Sequence, residues 1–352
     1  MPDRVERKGG RTRSAGGTAR GGGDPDRGGR VLELRPIREG EIRPIPPYNL
    51  VATAYKPSHF PSRNVLLEDH VWYQALVYER TPLGVTMRAE GPVDDPLVKV
   101  TVHAERDPGP DLVSRLLKEL AYRYGMTADL APFYERFAGD DLLGPVIRRW
   151  RGMQVSASGS LFEFLVITVV LQNATVRRTA QMMDNLITHY GYPVVFAGKE
   201  MGALGGPELL DHATEDDLRR LKLGYRARTI RRLTDTFVRG GIDEIELRSL
   251  DTDALRKRLL SLHGVGPASV WYLLFEVFRR YDVFQHISPW EQKIFSRLLF
   301  GEELVPVDRI VEFVTQRWAG WRMLAVHYLF EDLFWQRLQG TGPAWLDELI
   351  HL

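Results

Sequence analysis

A Gly-Val-Gly turn is the first stretch whose residue types could do chemistry. It lies in Leu262-His-Gly-Val-Gly-Pro-Ala268, between two segments with helical patterns. Glycines let a ligand approach the main chain closely, and Pro267 suits the first turn of a helix, where unpaired N–H groups attract anions. Two helices joined by this hairpin, over 259–280, would bind phosphate without reading base sequence, through Gly264, Gly266 and Ala268. A plain turn between two helices explains the same glycines, so both interpretations stay open.

A second stretch, Ser288-Pro-Trp-Glu291, combines a hydroxyl, an aromatic ring and a carboxylate at the start of a predicted helix. Ser before a helix, Pro at its first position and Glu at its third form a capping box, which stabilises the helix start by about 1 kcal/mol. The carboxylate of Glu291 could instead serve catalysis. Other carboxylates could approach the same place from neighbouring elements, namely Asp282, Glu331 and Asp332.

Composition limits the classes of protein and cofactor. With 352 residues, 44% hydrophobic and 26% charged, the chain is long enough for two or three globular domains. It has no cysteine, which excludes disulfides, thiolate zinc sites and an iron–sulfur cluster. Its longest apolar run, 161–171, is shorter than the roughly 20 residues of a membrane span. We therefore expect no membrane association, and the lack of a secretory signal predicts a cytoplasmic or nucleoid location.

The residue pattern changes sharply along the first third of the chain. Residues 1–30 contain nine Gly, eight Lys or Arg and four acidic residues, so 1–35 is predicted to be a disordered basic tail that solubilises the protein or neutralises phosphates. Apolar and polar residues then alternate at 85–90 and 98–103, which is typical of half-buried strands. With further strands predicted at 49–55 and 71–80, residues 36–105 form a small antiparallel β domain.

Beyond Pro108-Gly-Pro110, almost every segment has a helical pattern. Leu112, Leu116 and Leu120 share one helix face. Further helices are predicted near 129–150, 160–190, 214–239, 251–261, 267–280, 289–300, 306–318 and 320–338. The fold class is therefore α+β, with the N-terminal antiparallel β domain followed by an all-helical domain at 106–352.

Several of these segments resemble the helix-hairpin-helix (HhH-GPD) DNA glycosylase superfamily. The stretch Leu221-Lys-Leu-Gly-Tyr-Arg-Ala-Arg228 is similar to the segment that precedes the hairpin in 8-oxoguanine DNA glycosylases, and 161–175 is similar to their helix and wedge turn. Asp282-Val-Phe284 and 319–330 resemble the bacterial 3-methyladenine (alkylation-repair) DNA glycosylases. The resemblance covers about 45–340, and its most specific elements are the Gly-Tyr-Arg-Ala-Arg and Gly-Val-Gly sequences.

The resemblance implies a two-lobed helical domain that binds double-stranded DNA and flips a damaged base into a pocket. Gln172 and Asn173 would fill the gap left in the duplex, although they could simply cap their helix. Arg226 and Arg228 would contact phosphates. A monovalent cation, K⁺ or Na⁺, would be held by main-chain carbonyls of the hairpin, at Leu260, Leu262 and Val265.

An aromatic base pocket is also implied, because Trp271, Tyr272 and Trp290 fall near the positions that enclose the flipped base in the superfamily. Aromatic faces suit stacking on a base and attract a cationic one. Core packing in a helical domain explains the same residues. His286 and His327 could titrate near neutral pH, but a single His is more commonly structural.

Two positions depart from the superfamily pattern. As a glycosidic bond breaks, the sugar gains oxocarbenium character, which a fixed carboxylate stabilises. The position of the superfamily's catalytic Asp is Ser288, and the position of the lysine in strand-cleaving members is Ala268. Without that amine no imine can form there, so we predict a monofunctional glycosylase. We also expect a monomer that requires no cofactor.

The missing carboxylate leaves several interpretations open. Glu291 could supply it, or a reactive cationic base could need little assistance. A catalytically degenerate relative could bind lesions or DNA structure without excising a base. A helical interaction module that uses the hairpin only as a turn is a third alternative.

Overall fold

The computed structural model describes residues 30–59 and 62–350. Within them, eight strands form two sheets: β1 (Leu32–Glu33), β2 (Arg35–Ile42), β3 (Val65–Glu68), β4 (Val71–Tyr78), β5 (Thr81–Glu90), β6 (Leu97–Ala104), β7 (Gly191–Phe196) and β8 (Lys199–Leu204). The first eight α-helices of this part of the chain are α1 (Leu50–Ala54), α2 (Pro110–Arg123), α3 (Ala131–Phe137), α4 (Leu143–Arg149), α5 (Leu161–Leu171), α6 (Val176–Tyr190), α7 (Pro207–Leu210) and α8 (Glu215–Leu218).

Eight further helices follow: α9 (Arg226–Val238), α10 (Glu244–Ser249), α11 (Thr252–Leu260), α12 (Pro267–Tyr272), α13 (Pro289–Phe295), α14 (Val307–Trp318), α15 (Arg322–Leu338) and α16 (Ala344–Ile350). Single π-helical turns continue α8, α12 and α13, at Arg219–Leu223, Leu273–Val277 and Ser296–Phe300. Such turns change the direction in which successive side chains point.

The larger sheet is antiparallel and has the strand order β2-β6-β5-β4-β3. Its inner face carries the apolar half of the alternating pattern, with Val85, Met87 and Val100 buried beneath Leu116 and Leu120 of α2. Alternation predicts this sheet correctly because one face of each strand meets the core and the other meets solvent. An antiparallel sheet followed by helices confirms the predicted α+β class.

The smaller sheet differs from the prediction, because the hairpin β7–β8 interrupts the segment expected to be all-helical. Its tight turn, Ala197-Gly198, has φ angles of 48° and 74°, and two positive φ angles suit a two-residue hairpin. Phe196 packs on the larger sheet at Gly84, where an added Cβ would lie 2.5 Å from the ring. The missed hairpin thus joins the helical part to the β domain.

The predicted tail also needs correction at its C-terminal end. Strand β1 pairs in parallel with β7, and β2 begins at Arg35, so the last residues of the segment 1–35 belong to the folded protein. Residues 1–29 lie outside the described residues.

The strand predicted at 49–55 is a helix instead. Helix α1 begins after Asn49, whose side-chain oxygen accepts a hydrogen bond from the backbone N–H of Ala52 at 3.1 Å. Asn is among the best residues for this position. The apolar pattern of so short a segment does not distinguish a strand from a helix, so the capping residue is the better signal.

Most helices surround one large apolar core, through which α5 runs. Leu165, Val166 and Val169 of α5 are almost completely buried there. The packing of α9, α11, α12 and α15 around this core positions the C-terminal end of α5 beside the start of α9 and beside the turn between α11 and α12. Among the described helices, none has the length and apolarity needed to cross a membrane.

Candidate functional site

The turn between α11 and α12 needs glycine at one of its two glycine positions. Gly264 has φ +87°, and an added Cβ would lie 2.3 Å from Cγ2 of Thr229. Gly266 has φ −103°, and no atom lies within 4 Å of the place a Cβ would take. The N–H of Val265 donates to the carbonyl of Leu262 at 3.1 Å, which closes the turn. Gly264 therefore fixes the hairpin, whereas Gly266 leaves the surface open above it.

Two arginines of α9 flank this hairpin. Arg228 and Arg232 lie one helical turn apart, both are exposed, and a guanidinium nitrogen of Arg232 lies 3.4 Å from each ring nitrogen of His263. No acidic side chain of the described chain pairs with either arginine. Partial burial and the charges of Arg232 and Arg228 lower the pKa of His263. The hairpin thus borders a surface of uncompensated positive charge.

The predicted wedge residues lie against the hairpin. Gln172 follows α5, and its side-chain amide donates to the carbonyl of Gly264 at 3.2 Å. The hydroxyl of Tyr225 donates to the carbonyl of Gln172 at 3.3 Å, and the amide of Asn173 lies 3.4 Å from the same hydroxyl. Asn173 is exposed and has φ +48°. Gln172 is therefore tied to the hairpin, while Asn173 forms the projecting part of the turn.

Arg226 differs from the predicted phosphate contact. It is 7% exposed, donates to the carbonyl of Gln172, and stacks its guanidinium 4.7 Å from the ring centre of Tyr225. A guanidinium turned inward cannot meet a phosphate at the surface, so Arg226 instead holds the wedge turn in position. The sequence motif identified the segment, but it did not indicate which of its arginines faces solvent.

Three exposed apolar side chains surround this turn and were not predicted. Leu171, Val176 and Tyr225 are 42%, 61% and 57% exposed. Isolated exposed apolar residues are common on protein surfaces, but these lie beside a projecting polar turn and the hairpin. Tyr225 and Leu171 had a signal in the sequence, because they belong to the Gly-Tyr-Arg-Ala-Arg stretch and to the stretch 161–175, whereas Val176 had none.

Ser288 and Glu291 form the predicted capping box at the start of α13. The backbone N–H of Ser288 donates to Oε2 of Glu291 at 2.9 Å, and Oγ of Ser288 accepts from the N–H of Glu291 at 3.3 Å. The hydroxyl of Tyr272 donates to Oε1 of Glu291 at 2.5 Å. Both carboxylate oxygens of Glu291 are thus already hydrogen-bonded, one to the helix start and one to a phenol.

The three rings predicted to enclose a base do not contact one another. Trp290 packs against two phenylalanines of α15, with ring centres 5.9 and 6.1 Å away, and donates to the carbonyl of Leu349 at 3.1 Å. Trp271 is half-buried and lies under the guanidinium of Arg256. Neighbouring residues on a helix point roughly 100° apart, so Trp271 cannot share the direction of Tyr272. Of the three, Tyr272 alone faces a carboxylate.

Two of the other candidate carboxylates have structural roles. Asp282 accepts from the guanidinium of Arg322 at 2.8 Å and from its backbone N–H at 3.2 Å, and so anchors the start of α15. Asp332 accepts from Arg149 and from the indole of Trp150, both at 2.6 Å. These partners occupy both carboxylates.

A cluster of buried polar groups lies one turn beyond Tyr272 and was largely missed. The Lys56 ammonium is 2.6 Å from Oε2 of Glu276 and donates to the carbonyl of Ser156 at 2.9 Å. The hydroxyl of Ser58 donates to Oε1 of Glu331 at 2.5 Å. We call Lys56, Ser58, Glu276, His327 and Glu331 the polar cluster. Lys56 and Glu276 are 220 positions apart, so no local pattern in the sequence indicates their pairing.

Two atoms of the polar cluster have no hydrogen-bond partner among the described residues. They are Nε2 of His327 and Oε2 of Glu331, whose residues are 7% and 2% exposed. His327 and Glu331 are one turn apart on α15 and therefore project from the same face. Unpaired buried polar atoms are rare and costly in native proteins.

Burial and neighbouring charges shift the pKa values of His327, Glu276 and Glu331 to different extents. Burial, with a smaller contribution from the Lys56 ammonium, lowers the pKa of His327 to about 3, so the imidazole is neutral. Burial acts to raise the pKa of Glu276, but the charge and hydrogen bond of Lys56, together with His59 and His327, lower it more, so the pKa falls. Burial raises the pKa of Glu331 to about 7 despite the Ser58 hydrogen bond. One carboxylate is thus held ionised and the other is half-protonated near neutral pH.

Replacing Glu331 with Gln should make the stability of the protein less dependent on pH. The pKa of Glu331 rises from 4.5 to about 7 on folding, so its contribution favours the folded state below pH 4.5 and is lost as pH rises through 7. The loss amounts to about 3 kcal/mol. The unfolding free energy of Glu331→Gln, relative to the parent, should therefore be higher at pH 8 than at pH 4.5 in denaturant titrations. If the difference in unfolding free energy between Glu331→Gln and the parent were equal at both pH values, the prediction would be wrong.

The predicted cation site at the carbonyls of Leu260, Leu262 and Val265 stays a prediction. The carbonyl of Leu262 accepts the N–H of Val265, and a carbonyl oxygen has a second lone pair that could face a cation. Among the described residues, no cluster of His, Asp or Glu side chains could hold a metal ion.

Comparison with known proteins agrees with this fold. No protein-family model matches the chain. A probable N-glycosylase/DNA lyase of Methanothermobacter thermautotrophicus is 25% identical over 76% of this chain and 90% of its own length. A DNA-3-methyladenine glycosylase of Bacillus subtilis is 23% identical over 62% of this chain and 72% of its own length.

Two solved structures share the same architecture. The 3-methyladenine DNA glycosylase of Archaeoglobus fulgidus has a TM-score of 0.66 at 18% identity, covering 85% of this chain and 98% of its own. The 8-oxoguanine glycosylase/lyase of Clostridium acetobutylicum, bound to double-stranded DNA, has a TM-score of 0.62 at 16% identity, covering 87% and 99%. The resemblance predicted from the sequence is thus confirmed, and the chain has the fold of the helix-hairpin-helix DNA glycosylase superfamily.

Proposed function

We propose that the protein binds double-stranded DNA and excises a damaged or modified base by hydrolysis of its N-glycosidic bond. The observation that carries this proposal is the joining of the wedge turn to the hairpin, through Gln172 and Gly264, beside two arginines that have no acidic partner within 30–59 and 62–350. A phosphate bound at the hairpin would bring the projecting turn against the duplex, where a side chain can replace an extruded base. Positive charge without a partner favours a polyanion.

The names of the relatives support the reaction class. The relatives named above are all described as glycosylases, and the structure of the Clostridium acetobutylicum protein contains double-stranded DNA. The proposed chemistry therefore extends to this chain the reaction class that the names of these proteins give.

We further propose that the protein does not cleave the DNA strand. Strand cleavage through an imine needs an amine at the sugar, and Ala268, at the second position of α12, has none. The Methanothermobacter relative is described as a glycosylase and lyase, so this chain would perform only the first of those reactions. We also propose that it acts as a monomer, requires no cofactor, and uses a hairpin-bound K⁺ or Na⁺ only structurally.

The capping role of Ser288 favours the second candidate function, a lesion-binding protein without catalysis. Ser288 and Glu291 are explained by helix stability, and neither oxygen of Glu291 is free. In this alternative the wedge and hairpin recognise damaged DNA, and another protein removes the base.

An excision assay separates these functions. Excess protein should be incubated with duplexes that carry alkylated, oxidised, deaminated or hypermodified bases, and treated with or without alkali. We expect strand breaks only after alkali, which reveals abasic sites, and no covalent adduct with abasic DNA under borohydride. Tight binding without abasic sites on any duplex would support the non-catalytic alternative, and a borohydride adduct would contradict the absence of strand cleavage.

A further inference from the structure

An ionised carboxylate beside the sugar stabilises the transition state of base hydrolysis, and most of the carboxylates considered so far have other roles. Ser288 has no carboxylate, and Glu291 is hydrogen-bonded at both oxygens. Asp282 is held by Arg322, and Asp332 by Arg149 and Trp150. These partners occupy three of the four carboxylates that the sequence offered, and the fourth, Glu331, is only partly ionised near neutral pH because burial raises its pKa to about 7.

Glu276 occupies a different position from all of these. It lies four residues after Tyr272, on the segment that begins at the hairpin. It belongs to the π-helical turn Leu273–Val277, and such turns are frequent at functional sites. Through Tyr272, which donates to Glu291, this segment reaches the start of α13. Burial raises the pKa of the Tyr272 phenol, and Glu291 and Glu276 both raise it further, so Tyr272 lies close to both carboxylates and links the start of α13 to the polar cluster.

Lys56 holds Glu276 in place. Their side chains are 5% and 12% exposed, and the Lys56 ammonium is fixed by the carbonyl of Ser156 as well. An ion pair with so little solvent exposure keeps the carboxylate charged and holds its orientation. The other titratable groups around Glu276 are Tyr272, His59, His327 and Glu331. Among the described residues, the ion-pair partner of Glu276 is Lys56.

We propose that Glu276, positioned by Lys56, is the catalytic carboxylate of this protein and takes over the function that Ser288 cannot perform. The assignment rests on the proposed glycosylase function. In the reaction, the C1′–N bond breaks and its electron pair leaves with the base, so that C1′ becomes electron-poor. The carboxylate of Glu276 stabilises this charge. A water molecule then forms the C1′–O bond and gives its proton to Glu276, from which the proton passes to the departed base or to solvent.

Replacing Glu276 with Gln should lower the single-turnover excision rate about 10²- to 10³-fold, the usual loss when one preorganised electrostatic group is removed. Affinity for the lesion duplex should change little, because the hairpin and wedge are untouched. Glu119→Gln is a matched control, since Glu119 is also a 12% exposed glutamate in a buried ion pair, with Arg123 and Arg248 outside the polar cluster. That control should lose thermal stability but keep the excision rate.

A second substitution distinguishes catalysis from a structural ion pair. Asp is as good as Ser before a helix, so Ser288→Asp adds a carboxylate at the start of α13 with little change in folding. In the Glu276→Gln background, Ser288→Asp should raise the single-turnover excision rate at least tenfold. In the parent protein it should change that rate less than tenfold. A purely structural Glu276 would not be rescued in this way.

The pH profile keeps the proposal testable if Glu276→Gln does not fold. Lys56→Met leaves Glu276 without its cation, which raises the pKa of the carboxylate. The acid limb of the excision rate should then move to higher pH. An unchanged profile, or full excision by folded Glu276→Gln, would overturn the assignment alone. Absence of excision by the parent on every duplex would overturn the proposed function and the assignment together.

Discussion

Substituting both Arg228 and Arg232 with Ala should weaken binding to any DNA duplex and reduce the slope of log affinity against log salt by about two. Each arginine that neutralises a phosphate releases one counterion, which contributes about 0.9 to that slope. Affinity at moderate salt should fall roughly 10- to 100-fold, equally for damaged and undamaged sequences, because phosphate contacts carry no base information. Fluorescence anisotropy at several salt concentrations measures both quantities.

The matched control removes the same charge elsewhere. Arg219 and Arg220 are exposed but form ion pairs with Glu215 and Asp217 at 2.6 Å. Their double alanine variant changes the net charge by the same amount and should leave the salt slope within experimental error. If both double variants lost affinity equally, the effect would belong to the net charge of the protein, and the hairpin would not be the phosphate site.

Gly264→Ala should disrupt the hairpin and lower duplex affinity by more than tenfold. A side chain at φ +87° costs about 1–2 kcal/mol, and the added Cβ would lie 2.3 Å from Thr229, so the turn must move. Because Gln172 donates to the carbonyl of Gly264, the displacement should also reach the wedge turn. Excision should therefore fall further than binding does.

Two other glycines separate these contributions. Gly301 has φ +68° with no atom within 4 Å of an added Cβ, so Gly301→Ala imposes the backbone strain alone and should reduce thermal stability without changing DNA affinity. Gly266→Ala should fold normally, since its surroundings are open. A loss of affinity in folded Gly266→Ala would indicate that phosphate approaches the main chain there. Normal binding by Gly264→Ala would exclude the hairpin from DNA contact.

Local signals in the sequence predicted the elements well where neighbouring residues determine the structure. Alternation identified the larger sheet, and the Ser-Pro-Trp-Glu order identified a capping box with hydrogen bonds of 2.9 and 3.3 Å. The hairpin β7–β8 was missed because its strands are completed by β1, about 160 residues earlier in the chain. Helix α1 was missed because a five-residue segment has too little periodicity to outweigh one capping residue.

The candidate site was predictable only in part, because many of its contacts join residues that are far apart in the sequence. The motif located the hairpin and the wedge, but the inward turn of Arg226 depends on a carbonyl 54 positions away. The pairing of Lys56 with Glu276 and of Ser58 with Glu331 depends on distant segments that meet only in the folded chain. The aromatic residues were correctly placed on their helices, yet the direction of each ring follows from packing that no spacing specifies.

The bonds that join Gln172, Tyr225 and Arg226 to one another and to the hairpin have a consequence for how DNA would be searched. Because these bonds order the wedge turn before it contacts DNA, the turn loses little conformational entropy on binding the duplex. Each base step could then be tested by the same rigid surface during one-dimensional diffusion. Undamaged, well-stacked steps would resist entry, and a weakened base pair would yield to it, so the first discrimination would be mechanical and would precede any reading of the base.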